Sequence, residues 1–160
     1  MKEEIPPLGD VFDLMRLIWG VNRGLELSSK RMKSRLGVTG PQRLALRIIG
    51  RFPRITGAEL SVILHLDRST TSTLVSGLAK KKLVAQQVDH SDKRRILLTL
   101  TEMGRKLDVP SPDTIEAVVT RLIGEASRAE LDYASRLLRK LGEALRGEAA
   151  KNAERSSTAA

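Results

Sequence analysis

The chain has 160 residues, enough for one ordinary domain or for one compact domain with helices added. It is 41% hydrophobic but only 2% aromatic and has no cysteine, so its core must be Leu, Ile, Val and Ala, and disulfides, thiolate zinc sites and thiol redox sensing are excluded. The net charge of +9 is localised: residues 41–106 hold 13 Lys+Arg against 5 Asp+Glu, while the rest hold 15 against 14, which fits a polyanion-binding module between neutral flanks better than a merely solvated face.

A first helix is expected from Asp10, after Pro6-Pro7-Leu8-Gly9, with Asp10 able to accept from free backbone amides. Val11, Leu14, Ile18, Val21, Leu25 and Met32 recur at heptad spacing, with Ser28 in the gap. Phe12, Met15 and Trp19 widen the stripe. A helix this apolar on one side needs a partner, such as a second subunit. Gly20 and Gly24 inside it suggest either close packing or tolerated weakness, and Gly37 is a C-terminal stop.

Two helix starts follow with one signature. Thr39-Gly40-Pro41-Gln42 and Thr56-Gly57-Ala58-Glu59 each place a capping Thr three residues before Gln or Glu. The first of these helices is expected to bury Leu44, Ile48 and Ile49 and to end at Pro53. The second is expected to bury Leu60, Ile63 and Leu64. A third helix begins at Asp67, with Leu74, Val75 and Leu78 inward and Thr70 and Thr71 filling in. Ser69, Ser72, Thr73, Ser76 and Lys80 fall on its outer side. Solvated helices usually carry long charged side chains there. Small hydroxyls have poor helix propensity but let a helix approach base edges closely.

Leu83–Val88 then reads as a strand, and Ile96–Leu100 as a second. Between them, Asp89-His90-Ser91-Asp92-Lys93-Arg94-Arg95 is a polar turn with three adjacent cations, so the pair forms a hairpin, or wing. A cationic tip can reach the sugar-phosphate backbone or a minor groove. A helix starts at Thr101, breaks at Pro110 and Pro112 and restarts at Asp113 or Thr114, with Ile115, Val118, Val119, Leu122, Ile123 and Ala126 as its buried side. Ser127-Arg128-Ala129-Glu130 is another capping box. It leads a helix with Leu131, Ala134, Leu138, Leu141 and Leu145 in line. Beyond Gly147 a disordered tail is expected.

From Leu36 to Lys106 the chain resembles the MarR family of transcriptional regulators. The residues are Leu36-Gly37-Val38-Thr39-Gly40-Pro41-Gln42, Ile55-Thr56-Gly57-Ala58-Glu59-Leu60, Leu66-Asp67-Arg68-Ser69-Thr70, Lys82-Leu83-Val84, and Asp92-Lys93-Arg94 with Leu100-Thr101-Glu102-Met103-Gly104 behind it. The resemblance implies a mainly α fold with a small β-hairpin wing: an N-terminal dimerisation helix (1–36), a winged helix-turn-helix DNA-binding domain (37–107), C-terminal dimerisation helices (108–147) and a disordered tail (148–160). It implies a homodimeric repressor on a palindromic operator in double-stranded DNA. Arg68, Ser69, Ser72, Thr73 and Ser76 would read the major groove and Arg94 the minor groove. Lys80, Lys93 and Arg95 would contact phosphate, and Asp92 would orient Arg94 by a charge-assisted hydrogen bond. The proline break departs from the family's continuous helix and leaves the inter-wing spacing open.

Many members of the family release DNA when a small, often aromatic acid binds between the dimer arms and the winged helix. Arg16, Trp19 and Arg23 are the candidates for that effector pocket. The plainer alternative puts Trp19 in the core and both arginines on the surface.

Other function classes fare worse. His65 and His90 are the only histidines, no phosphate-binding Gly loop occurs and no carboxylates have metal spacing, so no enzyme, cofactor or metal is expected. RNA binding usually needs stacking aromatics, and Phe12, Trp19, Phe52 and Tyr133 all lie outside the third helix and the wing. A winged helix that binds protein instead of an operator stays open. With no membrane-length apolar run and no signal-peptide core, a cytoplasmic protein is expected.

Overall fold

The computed structural model describes residues 7–158, and side-chain surroundings for 7–151. The helices are α1 (Asp10–Leu36), α2 (Gly40–Arg51), α3 (Gly57–Leu64), α4 (Arg68–Lys80), α5 (Glu102–Leu107), α6 (Ile115–Glu125) and α7 (Arg128–Thr158). The strands are β1 (Ile55–Thr56), β2 (Val84–Val88) and β3 (Ile96–Leu100), antiparallel in the order β1-β3-β2. The fold is mainly α with a small β wing, as expected. No described helix is long and apolar enough to cross a membrane.

The chain divides into two compact units, one ending at Ala117 and one starting at Val118. The core of the first unit joins Val38, Ala45, Leu46, Ile49, Leu60, Val75, Leu78, Leu83, Val84 and Leu98. Each fully buried Leu, Ile or Val contributes roughly 1.5–3 kcal/mol. Local rules place its elements. Thr39 and Thr56 each make both halves of a capping box, and Asp67 and Thr101 each cap the helix that follows. Gly37, at φ 72, ends α1 in the left-handed region where a side chain is costly. Gly104 packs so tightly on the end of α4 and the start of β2 that an added Cβ would lie 2.0 Å from the Leu83 carbonyl oxygen.

Several expectations change. Gly9 rather than Asp10 is the N-cap of α1, and the Asp13 carboxylate accepts from the Leu8 amide at 3.2 Å. In α2 the core face is Ala45, Leu46 and Ile49; this register turns Leu44 outward to 54% exposure. Ile63 is likewise exposed. Leu97 and Leu98 are both buried, because β3 is the central strand and its residues meet helices as well as β1 and β2. The two-residue β1 has no periodicity to detect; it exists because Ile55 and Thr56 pair with Leu98 and Leu97. Nothing in the chain itself lies within 4 Å of a Cβ added at Gly20 or Gly24, so packing within one chain does not explain either.

In the second unit, the Ser127 hydroxyl and the Glu130 carboxylate form the third capping box, opening α7. Val118, Val119, Leu122 and Ile123, expected on a buried side, are exposed on the single chain. α7 runs on to Thr158 through most of the stretch expected as a disordered tail. Glu148, Ala149, Ala150 and Lys151 are good helix formers, and Lys151 pairs with Glu148 at 3.2 Å. The last two residues of that tail lie outside the described ones.

Candidate nucleic-acid interface

α4 is fastened at its start by one carboxylate. Asp67 accepts from the Thr70 amide at 2.8 Å and from the Ser69 and Thr70 hydroxyls at 2.6 Å each. The Ser69 hydroxyl, then Thr70, hold the carboxyl far below the usual carboxylate range, so it stays ionised at the positive end of the helix. Thr71, Val75 and Leu78 point into the core. Arg68, Ser69, Ser72, Thr73, Ser76 and Lys80 are all exposed on the other side. Ser69 is engaged by Asp67, and the Thr73 hydroxyl donates back to the Ser69 carbonyl at 3.1 Å. Among the described residues the Ser72 and Ser76 hydroxyls have no partner, which leaves them to turn toward whatever the helix meets.

The wing tip is an ordered turn. Asp89 accepts from the Ser91 amide at 3.0 Å, and Asp92 from the Arg94 amide at 3.0 Å, two side-chain turns in succession. Asp92 also accepts from Arg94 Nε at 3.2 Å, while the Arg94 side chain is 92% exposed. The pair is therefore oriented by its own loop and projects outward. Lys93 is exposed beside it. Arg95 is different: its guanidinium reaches back to Glu59, 3.5 Å away at the start of α3.

All five acids of residues 41–106 are tied up locally. Glu59 serves the Thr56 capping box, whose backbone and hydroxyl bonds lower its pKa, with Arg95 adding to the effect. Asp89 is lowered mainly by Ser91, with help from Arg54 and Arg95. Asp67 and Asp92 are engaged as above, and Glu102 pairs with Lys106 at 3.1 Å. The basic surplus of this segment faces no loose carboxylate of its own.

The effector candidates are not gathered into an enclosed site. Arg16 bonds Asp13 at 2.8 Å and Arg23 lies 3.6 Å from Glu26, both along α1, and Trp19 is 64% exposed rather than in the core. His65 caps α3 in the left-handed region at φ 54, and His90 is exposed in the wing turn. No group of three or more potential metal ligands occurs among the described residues. Periodicity gave no role to Arg43, yet it is 1% exposed. Its place one turn before Leu46 was the only signal.

The model of the MarR family matches residues 36–95, the stretch from the end of α1 through the wing. An HTH-type transcriptional repressor of Mycobacterium tuberculosis is 27% identical over 84% of this chain and 97% of its own length.

Residues 36–95 thus resemble the MarR family.

Solved MarR-like structures share its fold. The DNA complex of Staphylococcus aureus MepR superposes with a TM-score of 0.67 at 22% identity, covering 86% of this chain and 99% of that one. Streptomyces coelicolor PcaV, solved with its natural ligand, gives 0.69 at 23% identity over 88% and 99%. These relatives and neighbours are named as regulators, not enzymes.

Proposed function

We propose that this chain is a MarR-family regulator that acts in the cytoplasm as a homodimeric repressor, binding a palindromic operator in double-stranded DNA and releasing it when a small aromatic acid binds. The observation that carries the reading is the outer face of α4: hydroxyls and Arg68, exposed, capped by an ionised Asp67 and followed by an ordered wing that projects Arg94. Arg68, Ser69, Ser72, Thr73 and Ser76 read bases in the major groove. Arg94, oriented by Asp92, enters the minor groove, and Lys80 and Lys93 contact phosphate. Arg95 shares its charge between phosphate and Glu59.

Residues 1–36 and 108–147 serve dimerisation. The support is the exposed apolar surface of α1, including Val11, Phe12, Leu14 and Val21, and that of Val118, Val119, Leu122, Ile123 and Leu138. Two such faces suit a two-fold partner of the same chain. Arg16, Trp19 and Arg23 share one side of α1 and offer cations and an aromatic ring to an acid, once a second chain closes the site.

Selection of bound sequences from random duplex DNA tests this reading. A palindromic consensus is expected, with half-sites about 34–36 Å apart or a multiple of that. Affinity for it should fall steeply as salt rises, because neutralised phosphates release counterions. Recovery of no consensus, with salt-indifferent binding, would instead favour a winged helix that recognises protein.

A further inference from the structure

α2 carries a second surface that the core does not use. Gly40, Arg43, Arg47 and Gly50 follow one another at intervals of three, four and three residues, a single stripe along the helix. The segment from the end of α5 to the first turn of α6 lies on that stripe. Arg43 donates through Nη1 to the Leu107 carbonyl at 3.1 Å and through Nη2 to the Val109 carbonyl at 2.7 Å. It grips Glu116 with Nε at 3.1 Å and Nη2 at 2.5 Å. Arg47 donates to Asp108 at 2.6 Å and lies 3.7 Å from Glu116.

The two glycines make room for this. A Cβ at Gly50 would lie 2.1 Å from an Asp108 carboxylate oxygen, and one at Gly40 would lie 2.8 Å from Ile115. The segment is also ordered from within: the Thr114 hydroxyl donates to the Ser111 carbonyl at 2.7 Å and accepts from the Ala117 amide at 3.2 Å. The proline interruption is thus pinned on both sides, at Leu107–Val109 and at Glu116, by one guanidinium. The planar guanidinium makes all four bonds at once from fixed directions; an ammonium has three donors at a single point and cannot make all four.

We propose that Arg43 and Arg47 are positioning residues for operator spacing. They lock the proline linker and the first turn of α6, as far as Glu116, onto α2. In a dimer, a linker held in this way admits fewer half-site spacings than a loose one. This rests on the operator reading above.

The test uses the full-length protein and the palindrome that it selects, with the half-site separation kept or changed by one or two base pairs, and a duplex carrying one half-site. Wild type should prefer its own spacing by about tenfold or more. Arg43→Lys and Glu116→Gln should keep single half-site affinity and dimer mass, and lose most of that discrimination. Variants that discriminate spacing as wild type does, or that lose half-site and palindrome affinity equally, overturn the proposal. If Arg43→Lys does not fold, the partly exposed Arg47→Met, which removes only the Asp108 and Glu116 contacts, decides by the same comparison. If wild type selects no spaced palindrome, the operator reading itself fails, an outcome visible before any variant is made.

Discussion

Arg94 shows how a side chain can be oriented by its nearest neighbours. Asp92, two residues earlier, accepts from both its amide and its Nε, so the guanidinium is aimed by its own loop rather than by long-range packing. We expect Arg94→Ala to weaken duplex-DNA binding by roughly tenfold, in keeping with ~1–3 kcal/mol for a good base contact, and to leave dimer mass unchanged. Unchanged affinity in a filter or anisotropy titration would remove Arg94 from the interface. Such a pair is legible in sequence because both partners share one turn. Arg43 is the opposite case. Its partners lie 64 and 73 residues away, so no local pattern distinguishes it from a surface arginine.

Among the elements, the helix starts were the most legible part, because a capping Thr, Asp or Ser and its partner lie within three residues. Close approach between elements was not. Gly104 and Gly24 both sit inside helices, yet only Gly104 meets a neighbour. Gly104→Ala should lower stability by ~1–3 kcal/mol, since either α5 or the Leu83 carbonyl must shift. Gly24→Ala should be neutral or stabilising by up to ~1 kcal/mol, since a helix-interior Ala meets no obstruction there. Thermal melts followed by circular dichroism distinguish them; equal melting points would contradict the packing at Gly104. The third strand, β1, escaped notice for the same reason: two residues form a strand only when β3 is already there to pair with them.

At the scale of the molecule, heptad stripes in α1 and α7 and the apolar face of α6 are written in the sequence, and the single chain leaves much of that surface exposed. Sedimentation should therefore give twice the mass of one chain. Leu122→Glu, which puts a charge into the α6 face, should shift the equilibrium toward one chain at micromolar concentration. Wild-type mass in that variant would place the interface elsewhere. The sequence alone determined the resemblance to the MarR family, the order of the helices and the wing, the charged segment and the hydroxyl face of α4. Each of these depends on residue type and short spacing. Tertiary structure decided what long-range contact controls: that Leu44 faces out while Arg43 is buried, that Arg95 leans to Glu59 while Arg94 projects, and that the winged helix grips the proline break instead of leaving it loose. The hydroxyl-faced helix and wing could thus be read from the chain, but the anchoring of the proline linker on α2 could not. It depends on carbonyls and carboxylates that only folding brings to one guanidinium.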